Sequence, residues 1–136
     1  LKQLNRYEDM LARRTQIIAE YDKTCDELGI SHLVHHTDYM DSSNHLYLMR
    51  VPRIGEEVRN EIIEKMAGRG VATNVHYKPL PMMTAYKESS GGIELYPNSY
   101  DYYKNLISLP LHTCLSDEDV QYVCDVLKEV VKEVRG

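Results

Sequence analysis

The chain has 136 residues, of which 43% are hydrophobic and 27% charged, a balance that fits one folded domain and argues against wholesale disorder. Its 21 acidic against 16 basic residues give a net charge of -5, the wrong sign for a protein whose main work is neutralising nucleic-acid phosphates. No apolar run reaches bilayer length, and charge is already mixed into helical spacing between Leu1 and Leu11, so neither a membrane span nor a secretory signal is expected.

The opening segment reads as one long helix. Leu4, Tyr7, Leu11, Ile18, Tyr21, Cys25 and Leu28 recur at three- and four-residue steps, Arg14 interrupts the stripe, and Gly29 stands where a helix closes. About seven turns is long for a helix packed inside a small domain, so it is expected to run along something larger. Leu33 to His36 and His45 to Val51 read as strands, with a polar, turn-like stretch from Asp38 to Asn44 between them. Gly55 to Ala67 returns to helical spacing through Val58, Ile62, Ile63 and Met66.

Val71 to Tyr77 then alternates as a strand. Val71, Thr73, Val75 and Tyr77 share one face; Ala72, Asn74 and His76 share the other, and Pro79 and Pro81 stop it. Residues 78–96 show no period and carry Ser89, Ser90, Gly91 and Gly92 at their centre, the composition of a flexible or functional loop. Pro97 can open a short helix that turns Tyr100, Tyr103 and Ile107 inward, and Ser108 to Leu111 is extended. Ser116, followed by Asp117, Glu118 and Asp119, is a full helix start, with Leu115 placed to staple against Val120. Val120, Val123, Leu127, Val130 and Val134 form that helix's buried stripe. The expected fold class is α+β, in the order α-β-β-α-β-α-α: about three antiparallel strands packed against helices. Residues 1–136 form one domain, in which 1–29 is a connecting helix and 30–136 the α+β body.

Composition adds two expectations. Cys25, Cys114 and Cys124 form no C-x-x-C pair and read as buried free thiols of a reducing, cytoplasmic compartment. With 11 Tyr, no Phe and no Trp, tyrosine must fill the large aromatic core positions.

The histidines are the first candidates for chemistry. His32, His35 and His36 cluster, but no further Cys or carboxylate stands at ligand spacing, so no metal is expected and surface or edge-strand histidines are the simpler account. His76 ends a strand, shares a face with Asn74 and precedes the tight Tyr77-Lys78-Pro79 exit, a position from which ligands are often gripped. The competing account is a half-buried histidine bonded to the adjacent loop. His45, at the head of its own strand, is a weaker candidate of the same kind. No G-x-S-x-G, G-x-G-x-x-G or G-x-x-x-x-G-K is present. Tyr47 and Tyr77 alone could serve an RNA-binding sheet, which needs more aromatics and the opposite charge.

The run Gly70-Val71-Ala72-Thr73-Asn74-Val75-His76-Tyr77-Lys78-Pro79-Leu80 resembles the strand-and-loop signature of the DegT/DnrJ/EryC1/StrS sugar aminotransferases. Four further pieces resemble that family in the same order: HLYLMRV at His45 to Val51, Arg59 to Ile63, Tyr96-Pro97-Asn98, and SLPLHTCLSDEDVQYV at Ser108 to Val123. The resemblance implies the small C-terminal domain of a fold-type-I enzyme that uses pyridoxal phosphate to move an amino group, usually from glutamate, to a keto-sugar nucleotide. The absent large N-terminal domain would hold the Schiff-base lysine and most of the cofactor, so none is expected on this chain alone, and the whole enzyme is expected to be a homodimer. It also implies that His76, Tyr77, Lys78 and Asn74 border the substrate pocket, with His45 a weaker candidate. Pro81 and Met83 stand where many relatives carry histidine, which points to a different sugar contact. The rival reading is a freestanding α+β binding or interaction module without catalysis.

Overall fold

A computed structural model describes residue 2 and residues 4–136. Leu1 and Gln3, within the predicted connecting helix, lie outside the described residues. A 3-10 turn, Leu4–Arg6, leads into α1, Tyr7–Leu28, which ends at Gly29 with φ 62°, a left-handed cap that glycine adopts without penalty. Only the second half of α1 is buried, through Ile17, Ile18, Tyr21, Thr24 and Cys25. Leu4 and Tyr7 are exposed and Leu11 is half-buried, so the predicted stripe is fully covered only from Ile18 to Cys25.

The strand content is smaller than the sequence pattern suggests. β1 is Ser31–His32 and pairs antiparallel with β4, Tyr47–Arg50, in the register Ser31↔Arg50. Leu33 and Val34 are not in a strand, because the chain leaves the sheet there and both side chains face outward. The stretch between forms a separate small hairpin of β2, His36–Thr37, and β3, Met40–Asp41. β4 then pairs with β5, Leu106–Leu109, from Tyr47↔Leu109 to Arg50↔Leu106, giving the antiparallel order β1-β4-β5. The predicted third strand at Val71 to Tyr77 is absent: only Asn74 reaches the outer edge of β5, in one isolated bridge with Ser108. The main sheet has three antiparallel strands as expected, but β5 takes the place assigned to 71–77.

Helix α2, Glu56–Gly68, buries Ile62 and Met66, and α5, Asp117–Arg135, buries Val120, Val123, Leu127 and Val130 on the side of α1 and α2. Ser116 caps α5 in a reciprocal capping box with Asp119. The core lies between this helical layer and the sheet and includes Tyr21, Tyr47, Met49 and Ile107. All four residues of β5 are buried, the pattern of a strand covered on both faces.

Residues 78–96 are not featureless. They contain two 3-10 turns, Leu80–Met82 and Ile93–Leu95, and one helical turn, α3, Lys87–Ser90. None of these turns buries a residue, and α3 packs on the Leu80–Met82 turn. α4, Pro97–Tyr103, starts at proline as expected and buries Tyr103, whereas Tyr100 stays exposed and Ile107 belongs to β5. No described helix is long and apolar enough to cross a membrane.

Candidate functional site

The chain leaves α2 through Gly70, whose φ of 77° turns it back so that the Val71 N–H donates to the Met66 carbonyl at 3.0 Å. Val71, only 3% exposed, anchors this return in the core. Three residues on, Asn74 and Ser108 exchange both backbone hydrogen bonds, at 3.2 and 2.7 Å. That bridge fixes where the following residues sit. His76 Nδ1 lies 2.8 Å from Ser108 Oγ, and the Tyr77 ring stands edge-on to the imidazole, 4.7 Å between centroids and 86° between planes. The His76–Tyr77 peptide bond is cis.

His76 is half-buried, while Tyr77, Lys78 and Leu80 beyond it are exposed. Lys78 makes no ion pair among the described residues. The site is therefore an open edge of the domain, presenting an imidazole, a phenol and an ammonium from consecutive residues. Asn74 does not join them through its side chain: its Oδ1 turns back to accept from the Val75 N–H at 2.7 Å. His45 is exposed and lies elsewhere. Two residues before Tyr47, whose cross-strand partner is Leu109, it makes no hydrogen bond or ring contact with His76, Tyr77 or Lys78 among the described residues.

Ser108 is the residue that the sequence reading missed in this role. It is buried, at 3% exposed, and its hydroxyl is the contact that orients the histidine. Its signal was a lone polar residue inside the otherwise apolar run Leu106-Ile107-Ser108-Leu109.

His32 and His35 are structural. His32 bridges α1 and β1, with Nδ1 2.9 Å from Asp22 and Nε2 3.2 Å from Asp26. His35 departs from expectation: it is buried, at 4% exposed, its ring parallel to Tyr47 at 6.0 Å, because the hairpin connection folds it over the tyrosine face. The Tyr47 hydroxyl donates to Asp22 at 2.8 Å, and burial raises its pKa well above the ordinary phenol range. No group of three or more His, Cys, Asp or Glu among the described residues could hold a metal ion. A cleft of about 460 Å³ between α1 and the start of α5 is lined by Arg13, whose guanidinium is already engaged by Asp117 and the Leu115 carbonyl at 2.6 Å each.

Known proteins add the context. The chain is 33% identical over 137 residues to the spore coat polysaccharide biosynthesis protein SpsC of Bacillus subtilis, covering 97% of this chain and 35% of that protein. It is 29% identical to a UDP-4-amino-4,6-dideoxy-N-acetyl-beta-L-altrosamine transaminase of Campylobacter jejuni, covering 99% of this chain and 36% of that protein. Among solved structures, the PLP form of the putative sugar aminotransferase Spr1654 from Streptococcus pneumoniae superposes with a TM-score of 0.95 at 46% identity, over 98% of this chain and 34% of that one. Helicobacter pylori PseC, an aminotransferase of pseudaminic acid biosynthesis, superposes at 0.83 with 26% identity over 98% of this chain. The chain thus spans about a third of the length of the relatives it matches. The family profile covers residues 1–128, and the chain belongs to the DegT/DnrJ/EryC1/StrS aminotransferase family.

Proposed function

We propose that this chain is the small, substrate-closing domain of an aminotransferase that moves an amino group from glutamate to a keto-sugar nucleotide. The observation that carries the reading is the open edge at His76. An imidazole anchored on Ser108 at 2.8 Å, with Tyr77 and Lys78 beside it, forms one wall of a polar pocket whose other walls this chain does not supply. Residues 77–102 support the same reading: apart from Gly92 they bury nothing, yet they carry exposed Tyr77, Leu80, Tyr86, Leu95 and Tyr96, which suits docking on a larger domain.

Pyridoxal phosphate, when bound, supplies the electron sink for transamination. The residues present do not fit a cofactor held within this chain. A Schiff-base lysine works from a sequestered site, and none of the lysines here is buried. The cofactor is therefore assigned to the remaining two-thirds of the parent protein, a homodimer by the same family reading. This chain's own share is to bind and orient. His76 and Lys78 offer N–H donors to substrate oxygens, and closure of the 77–102 face excludes water.

The test is transamination by the full-length protein with glutamate and a keto-sugar nucleotide, beside absorbance spectra of the full-length protein and of this 136-residue chain. Turnover and a pyridoxal band in the former only are expected. A pyridoxal band on the chain alone overturns the assignment, as does a full-length protein without transaminase activity.

A further inference from the structure

We propose that Ser108 is a positioning residue that fixes the neutral His76 ring with its proton on Nε2, so that the histidine faces the substrate as a donor to an anionic oxygen. The inference rests on the placement of His76 at the pocket wall argued above, and adds how the ring is set.

The argument is one of hydrogen-bond accounting. Ser108 is 3% exposed, and its backbone N–H and carbonyl are both taken by Asn74, at 2.7 and 3.2 Å. Among the described residues, the one partner of its hydroxyl is His76 Nδ1, at 2.8 Å. A buried hydroxyl that merely accepted here would leave its own proton unpaired, which costs more than an ordinary hydrogen bond returns. The hydroxyl therefore donates, and Nδ1 accepts. A neutral imidazole that accepts at Nδ1 carries its proton on Nε2. Nε2 has no partner among the described residues, and the ring is half-buried at the edge from which exposed Lys78 projects. An N–H donor two residues from an exposed lysine with no ion pair among the described residues suits a carboxylate or phosphate oxygen and disfavours a cation. Had Ser108 been apolar, both tautomers would be open to the ring, and one of them presents a lone pair to the anion instead of a proton.

The experiment uses the full-length enzyme with 15N-labelled histidine, and the variants Ser108→Ala, Ser108→Thr and His76→Ala. The parent should show His76 with Nδ1 unprotonated. Ser108→Ala should give a mixture of tautomers, and Ser108→Thr, which keeps the hydroxyl, should restore the parent pattern. In kinetics, Ser108→Ala should raise KM by about 2- to 10-fold, the value of one hydrogen bond, with a smaller change in kcat. A rise confined to glutamate assigns the oxygen to a carboxylate; a rise confined to the keto-sugar nucleotide assigns it to a phosphate. A parent spectrum with the proton on Nδ1 overturns the proposal without any variant. So does a Ser108→Ala enzyme with unchanged tautomer and KM when His76→Ala is impaired. If His76→Ala keeps the parent kcat/KM, the pocket-wall reading itself fails, and this inference with it.

Discussion

The Arg59 guanidinium lies 4.8 Å from the centroid of the Tyr103 ring, and the Tyr103 hydroxyl donates to Glu56 at 2.9 Å, closing a buried knot between α2 and α4. Arg59 is 1% exposed, and its Nη1 also reaches the Tyr103 and Leu106 carbonyls at 3.3 and 3.4 Å. The knot holds the segment before β5, and so the placement of Ser108. Arg59→Ala removes the cation, the stacking and the packing of the stem together. It should destabilise the protein by about 2–4 kcal/mol in urea titration. Glu56→Gln keeps an acceptor for Tyr103 but removes the carboxylate paired with the buried Arg59 at 3.3 Å, and should cost about 1–2 kcal/mol, less than Arg59→Ala. Equal losses for the two variants would show that the carboxylate, not the guanidinium, organises the knot.

The start of α5 gives a second check. Ser116 Oγ accepts from the Asp119 N–H at 3.1 Å, and Asp119 Oδ2 accepts from the Ser116 N–H at 2.9 Å. Ser116→Ala should cost about 1 kcal/mol, read as a lower melting temperature. The backbone hydrogen bond from Ser116, then the one from its side chain, holds the Asp119 pKa below the usual carboxylate value. A depressed folded-state pKa gives stability that is present above the ordinary carboxylate pKa and lost as pH falls through the folded one. Asp119→Asn should therefore lower stability at neutral pH, and the difference from the parent should shrink as pH falls through the folded-state pKa, which flattens the acid limb of the profile.

The cysteines separate by environment. Cys114 is exposed, while Cys25 and Cys124 are buried, a partial correction to three buried thiols. Burial pushes the Cys25 thiol up to about 11 and raises Cys124 as well, so both stay protonated near neutral pH. Brief alkylation of the native protein, read by peptide mass, should label Cys114 and spare the other two. Labelling of Cys25 at a similar rate would mean that α1 and β4 open readily.

What could be read in the amino acids alone depended on whether the deciding contact was local. Gly29 ending α1, Pro97 opening α4 and the Ser116–Asp119 box all act within one turn, and each was legible. The 71–77 stretch has a faultless alternating pattern, yet pairing is a property of two strands, and β5 accepts only Asn74 along its outer edge. The 78–96 stretch looked like open loop because its turns are closed by neighbours, such as the Tyr86 N–H on the Met83 carbonyl at 3.0 Å, without any apolar period. At the site, His76, Tyr77 and Lys78 stood out because they are consecutive. Ser108 did not, since its partner lies 32 residues away and only the fold brings them together. His35 was hidden for the same reason: nothing in its own segment announces the Tyr47 ring beneath it.

That burial makes His35 sensitive to acid. Desolvation lowers its pKa below the ordinary 6.5, because the charged ring is poorly solvated at that depth. Unfolding frees the ring to bind that proton. Between 6.5 and the lower folded-state value, the unfolded chain holds more protons than the folded one, so stability increases with pH in that window. The contribution is complete above 6.5 and disappears as pH falls through the folded-state pKa. Asp22 and a side-chain hydrogen bond with Asn44 oppose the shift, and His36 and His32 reinforce it. Urea midpoints for the parent and for His35→Gln, taken at steps from neutral pH down to 5, should diverge: the parent loses stability more steeply on acidification. Parallel curves would show that the ring is solvated in the folded protein, and that the hairpin connection does not seal it against Tyr47.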